Sequence, residues 1–262
     1  MKVVVLVKQV YDPATVRVSR SRGVLDTREA DLVMNPGDKY ALEEALRLKD
    51  DRKATVVAIS LGPAEADDAL REALAMGVDQ AVLLTDDAFS NVDASAAVKI
   101  IGEAIKRIGD FDLILTGFRA AGDGTGEFAP RLAGYLGLPQ VIRASRLTVG
   151  DGKLSARRTL SSGYALLETD LPAVVAVEEE ANRPRYPSLP GSIAAYDEHS
   201  ITIWGTEDLG LAPEEVTASS RTEVRTTFAG PERERGRIIS GELGDGIREL
   251  LGELSARGLL PR

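Results

Sequence analysis

The chain has 262 residues, 44% of them hydrophobic and 28% charged, with a formal net charge of −9 and no cysteine. That charge argues against a nucleic-acid surface, which needs clustered Lys and Arg, and the missing thiols exclude disulfides, thiolate catalysis and Cys-ligated zinc or iron–sulfur centres. One histidine, His199, lies in a polar stretch at 196–200 and reads as a surface residue, so neither a metal site nor a catalytic side chain is expected.

Residues 3–7, Val-Val-Val-Leu-Val, form a continuous apolar run, as expected of a strand covered on both faces. The run is too short for a signal peptide or a membrane span, and a cytoplasmic location is expected. Asn35-Pro36-Gly37-Asp38 opens a helix over 38–49, with apolar residues at 41, 42, 45, 46 and 48 and with Asn35 or Asp38 as its cap. A strand over 55–61 ends at Gly62-Pro63, and a helix over 64–76 stops at Gly77. A strand at 80–85, a helix at 93–108 and a strand at 112–116 follow. This alternation predicts an α/β fold of Rossmann-like type, a mostly parallel sheet with helices on both faces. Ligands in such sheets bind at the carboxyl ends of the strands, here in the loops 8–13, 61–63 and 117–127. Carboxylates are plentiful, but none stands isolated in an apolar stretch that would raise its pKa. The chain therefore reads as one that binds a cofactor and leaves the chemistry to it.

Residues 113–140 are the most informative stretch: an apolar strand runs into a glycine-rich loop and the loop into a helix. Gly122, Gly124 and Gly126 permit close backbone approach and positive φ, and the helix start offers backbone N–H groups to phosphate oxygens. The pattern is neither a P-loop nor Gly-x-Gly-x-x-Gly, so a nucleotide site and a plain strand-to-helix turn both stay open. Strands at 141–149, 153–160 and 164–168, separated by Gly and Ser turns, predict an antiparallel extension, and 171–177 reads as another buried strand. Residues 205–237 are polar and aperiodic and read as an extended arm. A last helix carries an apolar stripe at Ile247, Leu250, Leu251 and Leu254, to be covered by a partner chain or by its own domain. The expected division is an α/β nucleotide-binding domain over 1–204, followed by the arm and helix over 205–262.

The ordered segments 5–10, 34–38 with 41–49, 61–63, 73–79, the glycine loop with Leu136-Gly137-Leu138-Pro139-Gln140, 171–175 and 183–190 together resemble the beta subunit of electron-transfer flavoproteins over essentially the whole chain. The resemblance implies a heterodimer with an alpha subunit that holds the redox FAD and shuttles electrons from acyl-CoA-type or other flavin dehydrogenases to a further acceptor. It also implies a second adenine nucleotide in this subunit, AMP in the common class and FAD in the electron-bifurcating class. The positions matching that site are Leu6 and Lys8, then Asn35, Pro36, Gly37 and Asp38, then Leu61 and Gly117. The loop adds Gly122, Asp123, Gly124, Thr125, Gly126, Glu127 and Phe128. The loop is nearer to the bifurcating form Asp-Gly-Asp-Thr-x-Gln-Val-Gly-Pro, with the acidic and glycine positions at 122–124 interchanged and Glu127 in place of Gln. Glu127 adds a negative charge that Arg119 or Arg131 must offset. Tyr186, Pro187, Ser188, Leu189 and Pro190 match the family's dehydrogenase-recognition loop, with Leu189 as the anchor. Two rival readings are a free-standing nucleotide-binding protein of the universal-stress type and an adenylyl- or amide-transferring enzyme. The first normally stops near residue 150, and the second needs a basic or histidine signature absent here.

Overall fold

The computed structural model describes residues 1–19, 23–122, 124–226, 228 and 236–260. The chain divides into two compact units, Met1–Thr227 and Phe228–Arg262.

In the first unit, strand β1 (Lys2–Leu6) leads into two small antiparallel ribbons. Gln9–Tyr11 (β2) pairs with Leu32–Met34 (β5), and Arg17–Ser19 (β3) pairs with Val24–Asp26 (β4). Then come α1 (Pro36–Arg52), β6 (Thr55–Leu61), α2 (Asp67–Met76), β7 (Gln80–Leu84) and α3 (Ala94–Ile108). They are followed by β8 (Leu113–Gly117), α4 (Phe128–Leu136) and the meander β9 (Gln140–Gly150), β10 (Lys153–Thr159) and β11 (Tyr164–Asp170). Strand β12 (Ala173–Val177), α5 (Leu189–Asp197), β13 (Thr202–Trp204), α6 (Thr206–Leu209) and α7 (Pro213–Ser219) complete the unit.

Nine of these strands form one sheet in the order β11-β10-β9-β12-β8-β1-β6-β7-β13. From β9 to β13 every neighbouring pair is parallel, while β9, β10 and β11 form the antiparallel extension that the turns predicted. Side chains of β1 alternate between two cores. Val3 and Val5, with Val7 just beyond the strand, share a core with α1 and α2, whereas Val4 and Leu6 share one with α3 and α4. The chain runs outward from β1 to β6 and β7, then returns through α3 to β8 on the other side of β1. The strand order therefore reverses at β1, which opens a crevice at the carboxyl ends of β1, β6 and β8.

The helix expected over 64–76 is instead a 3₁₀ turn at Ala64–Ala66 followed by α2, closed as expected by Gly77 in the left-handed region. The stretch 205–219 departs more from expectation. It is not an extended arm, because α6 and α7 lie on the α3 side of the sheet with Leu209, Leu211 and Val216 buried. Asp86 holds this stretch by accepting from Thr206 N at 2.9 Å and Thr206 Oγ1 at 2.8 Å. Helices of four and seven residues are too short to show periodicity, and three apolar side chains suffice to dock them. The compact unit thus extends past residue 204, to Thr227.

The second unit contains α8 (Leu243–Ala256), none of whose residues is buried. Arg237 pairs with Glu249 and, at 3.1 Å, with Glu253, so ion pairs tie residue 237 along one side of the helix. Among the described residues no helix is long and apolar enough to cross a membrane.

Candidate functional site

The crevice is shaped by contacts between the start of α1 and the ends of β1 and β8. Asn35 occupies the N-cap position of α1, but its side chain makes no capping bond. Instead Asn35 Nδ2 donates to Arg119 O and Asn35 Oδ1 accepts from Ala121 N, both at 3.0 Å, so one side chain anchors the first turn of the glycine loop. Asp38, one turn on, does not cap the helix either. Its Oδ2 accepts from Lys8 N at 2.9 Å, and its carboxylate also accepts from Gly117 N.

This carboxyl group is buried, and burial pushes its pKa up to about 7 against the opposing pull of Asn35, Lys8 and Gly117. Burial likewise raises Glu44, against the pull of Asn182 and Arg47. The expectation that no carboxylate would be shifted upward by burial therefore fails at two positions of α1. Both lie in a helix of mixed polar and apolar residues, and only packing against the rest of the chain removes them from water.

Backbone here meets backbone so closely that side chains are excluded. A Cβ at Gly117 would overlap Asp38 Oδ1 and stand 2.6 Å from Gly37 C. Gly126 combines positive φ (69°) with a Phe118 ring 2.9 Å from where its Cβ would be.

The resulting cavity has a volume of about 320 Å³. Of the residues expected in the site, Leu6, Lys8, Asp38, Leu61, Gly117, Thr125, Gly126 and Phe128 line it. Asn35 and Pro36 stand behind the lining at the start of α1, and Gly37 borders a neighbouring cavity of about 190 Å³ with Arg119 and Arg143. Phe118 lines both cavities, and its ring centre is 4.8 Å from the Arg119 guanidinium and 5.5 Å from that of Arg143. Arg143 is the extra residue of a bulge in β9 and has φ of 63°, which takes it out of the strand ladder. Gly122 and Gly124 are exposed turn residues with positive φ that do not line the cavity, and Asp123 lies outside the described residues. Glu127 pairs with Arg131 at 3.0 Å, so Arg131 supplies the offsetting charge, while Arg119 lies over Phe118.

One wall of the cavity comes from residues outside the expected set. Phe89, Asn91, Val92, Asp93, Ala94, Ala97 and Ile101 close the cavity from the connection between β7 and α3. Asp93 caps α3, with Oδ1 accepting from Ser95 N (2.9 Å) and Ala96 N (3.0 Å). Its Oδ2 accepts from Arg221 N (2.7 Å), Thr222 N and Thr222 Oγ1 (both 2.8 Å). Burial pulls the Asp93 carboxyl upward, but these bonds outweigh it and hold the group well below the usual carboxylate range. The signal was available in the sequence: an Asp before a helix, directly after a parallel strand, marks one more strand-end loop.

The electron transfer flavoprotein domain matches residues 22–202. The electron transfer flavoprotein subunit beta of Thermoanaerobacterium thermosaccharolyticum is 34% identical over 99% of this chain and 100% of its own length. That of Clostridium acetobutylicum is 39% identical over 86% of this chain and 90% of its own. The caffeyl-CoA reductase-Etf complex subunit CarD of Acetobacterium woodii is 35% identical over 98% and 97%.

The chain belongs to the electron transfer flavoprotein family, as a beta subunit. Electron transfer flavoprotein beta subunits are electron carriers rather than catalysts. The family assignment displaces both the universal-stress and the group-transfer readings. The second sequence feature of this beta subunit, residues 186–190, lies outside the cavity. Tyr186 is 93% exposed and Leu189 75% exposed. Leu189 is not in the middle of a loop but is the first residue of α5, because Ser188 caps that helix by accepting from Gly191 N at 3.0 Å. Tyr186, Pro187 and Ser188 precede the helix, and Pro190 lies in its first turn.

Proposed function

We propose that this chain pairs with an electron transfer flavoprotein alpha subunit and binds AMP in the cavity at the carboxyl ends of β1, β6 and β8. The observation that carries the reading is the cavity itself, placed where the strand order reverses and shaped by Asn35, Asp38, Gly117 and Gly126. The residues fit the ligand. Ile59, Phe89, Ile101 and Phe128 offer an apolar slot for a base, while Thr116, Thr125 and Lys8 offer polar groups for ribose and phosphate. Lys8 is the one Lys or Arg among the lining residues. The carboxylates of Asp38 and Asp93 are turned to backbone N–H groups of the protein. A volume of about 320 Å³ sits at the low end of small-molecule sites and suits a mononucleotide better than a dinucleotide of FAD size.

FAD held with the alpha subunit supplies the redox chemistry when bound; this chain's residues bind, orient and exclude water. In the same reading the Tyr186–Pro190 segment docks acyl-CoA-type or other flavin dehydrogenases through Leu189, and α8 with its apolar stripe packs on the alpha subunit.

The test is to co-express the chain with its alpha subunit, denature the complex, and identify and count the released nucleotides. One FAD and one AMP per heterodimer is the expected result. Two FAD would assign the bifurcating class and a cavity that opens past Phe118, and an empty beta site would sink the nucleotide reading.

A further inference from the structure

The segment that displays Tyr186 and Leu189 is tied down at both ends, and by different chemistry at each. At its start stands the buried carboxylate of Glu43 in α1. Glu43 Oε2 accepts from Arg185 N at 3.0 Å and from Arg185 Nε at 2.9 Å, and Oε1 accepts from Nη2 at 3.1 Å. The same Nη2 donates to Asp50 Oδ2 at 2.8 Å. Next to it, Asn182 Nδ2 donates to Glu44 Oε1 (2.8 Å) and Tyr40 O (2.9 Å). At the far end the contact is backbone on backbone. A Cβ on Gly191 would overlap the carbonyl oxygen of Ala75, in the last turn of α2. Arg71 of α2 donates to Ala195 O and, at 2.9 Å, to His199 O, and lies 5.2 Å from the centre of the Tyr196 ring.

A forked ion pair with one buried and one half-exposed partner adds little net stability, since desolvation of the buried carboxylate offsets much of its attraction, but it fixes orientation. Two large apolar side chains held in water by such fixtures gain nothing from the fold itself. Their benefit comes on binding, where a segment already ordered loses less entropy. We propose that the Arg185–Glu43 pair and the Gly191–Ala75 contact form a two-ended brace that presets residues 186–190 for partner docking. Arg185 and Gly191 are then positioning residues. The inference rests on the docking reading above and adds what holds that surface in shape.

The experiment uses the alpha–beta heterodimer and an acyl-CoA dehydrogenase selected for reducing the wild-type complex. Arg185→Lys keeps the charge and loses the fork, Gly191→Ala forces the start of α5 away from α2, and Leu189→Ala removes the anchor. The KM for the heterodimer is expected to rise about 3- to 10-fold in each brace variant and about 10-fold or more in Leu189→Ala, with kcat and bound flavin unchanged. An unchanged KM in either folded brace variant, beside a raised one in Leu189→Ala, overturns the brace and leaves the docking segment standing. An unchanged KM in Leu189→Ala removes the docking reading, and the brace with it.

Discussion

At the carboxyl end of the sheet the cavity is set by backbone pressed against backbone, with Gly37 and Gly117 in contact range and Asp38 serving two N–H groups. The segment 182–191 instead displays Tyr186 and Leu189 to water and is held at its start by guanidinium and amide groups on the carboxylates of α1. The first arrangement leaves no room for an extra atom and gains rigidity from exclusion. The second leaves its key side chains in water and gains rigidity from directed bonds at its start and one close backbone contact at Gly191. A change in the cavity should therefore cost stability and ligand together, whereas a change on the docking segment should alter partner binding alone.

The largest effect expected is a pH dependence seated at Asp38. Its folded pKa, about 7, lies above the ordinary value of 3.8, so the protonated form is favoured by folding. The contribution is fully present below pH 4, is lost as pH rises toward 7, and is flat above. Against Asp38→Asn, which does not titrate, the wild type should lose roughly 4 kcal/mol between pH 4 and 7 in urea unfolding. A gap that stays constant across this range would show that the carboxylate is as well solvated when folded as when unfolded.

Gly117→Ala comes next. The added methyl overlaps Asp38 and Gly37, and a loss of about 3 kcal/mol is expected, with nucleotide lost from the purified heterodimer. Wild-type stability in this variant would mean that α1 can move off β8, contrary to the close packing described. Asp93→Ala removes a helix cap and the tie to residues 221–222, for about 1–2 kcal/mol by denaturant unfolding. It should also speed the release of bound nucleotide, read by dilution into a nucleotide trap. The smallest effect on stability is Leu189→Ala, within about 0.5 kcal/mol, since the side chain is exposed. A larger loss there would place Leu189 in the fold rather than on a docking surface, and would erase the contrast between the two regions.

Much of the architecture was legible from residue order alone. The run at 3–7, the strand at 55–61, the helix cap at Gly77 and the turns around 150 and 162 each depend on neighbours a few positions away, and all appear where expected. Parallel strands bring their carboxyl ends together, and Leu6, Lys8, Leu61 and Phe128, positions given by the family resemblance, line one cavity there. Short-range pattern could not reveal β2 to β5, strands of three residues, nor β13, which joins the sheet beside β7 on the strength of three parallel pairings. It could not reveal that 206–219 belongs to the core.

By itself, the sequence determined the alternation of strands and helices, the parallel sheet and its antiparallel extension, since hydrophobic period and glycine placement act locally. Tertiary structure decided what each polar side chain does. Asn35 serves the chain 84 residues away instead of its own helix, Asp93 ties a segment 129 positions on, and Arg185 finds Glu43 across 142 positions. Such partners follow from how the sheet is ordered and how the helices lie on it. A carboxylate is hydrated or buried, charged or neutral, by virtue of that packing, which no local pattern encodes.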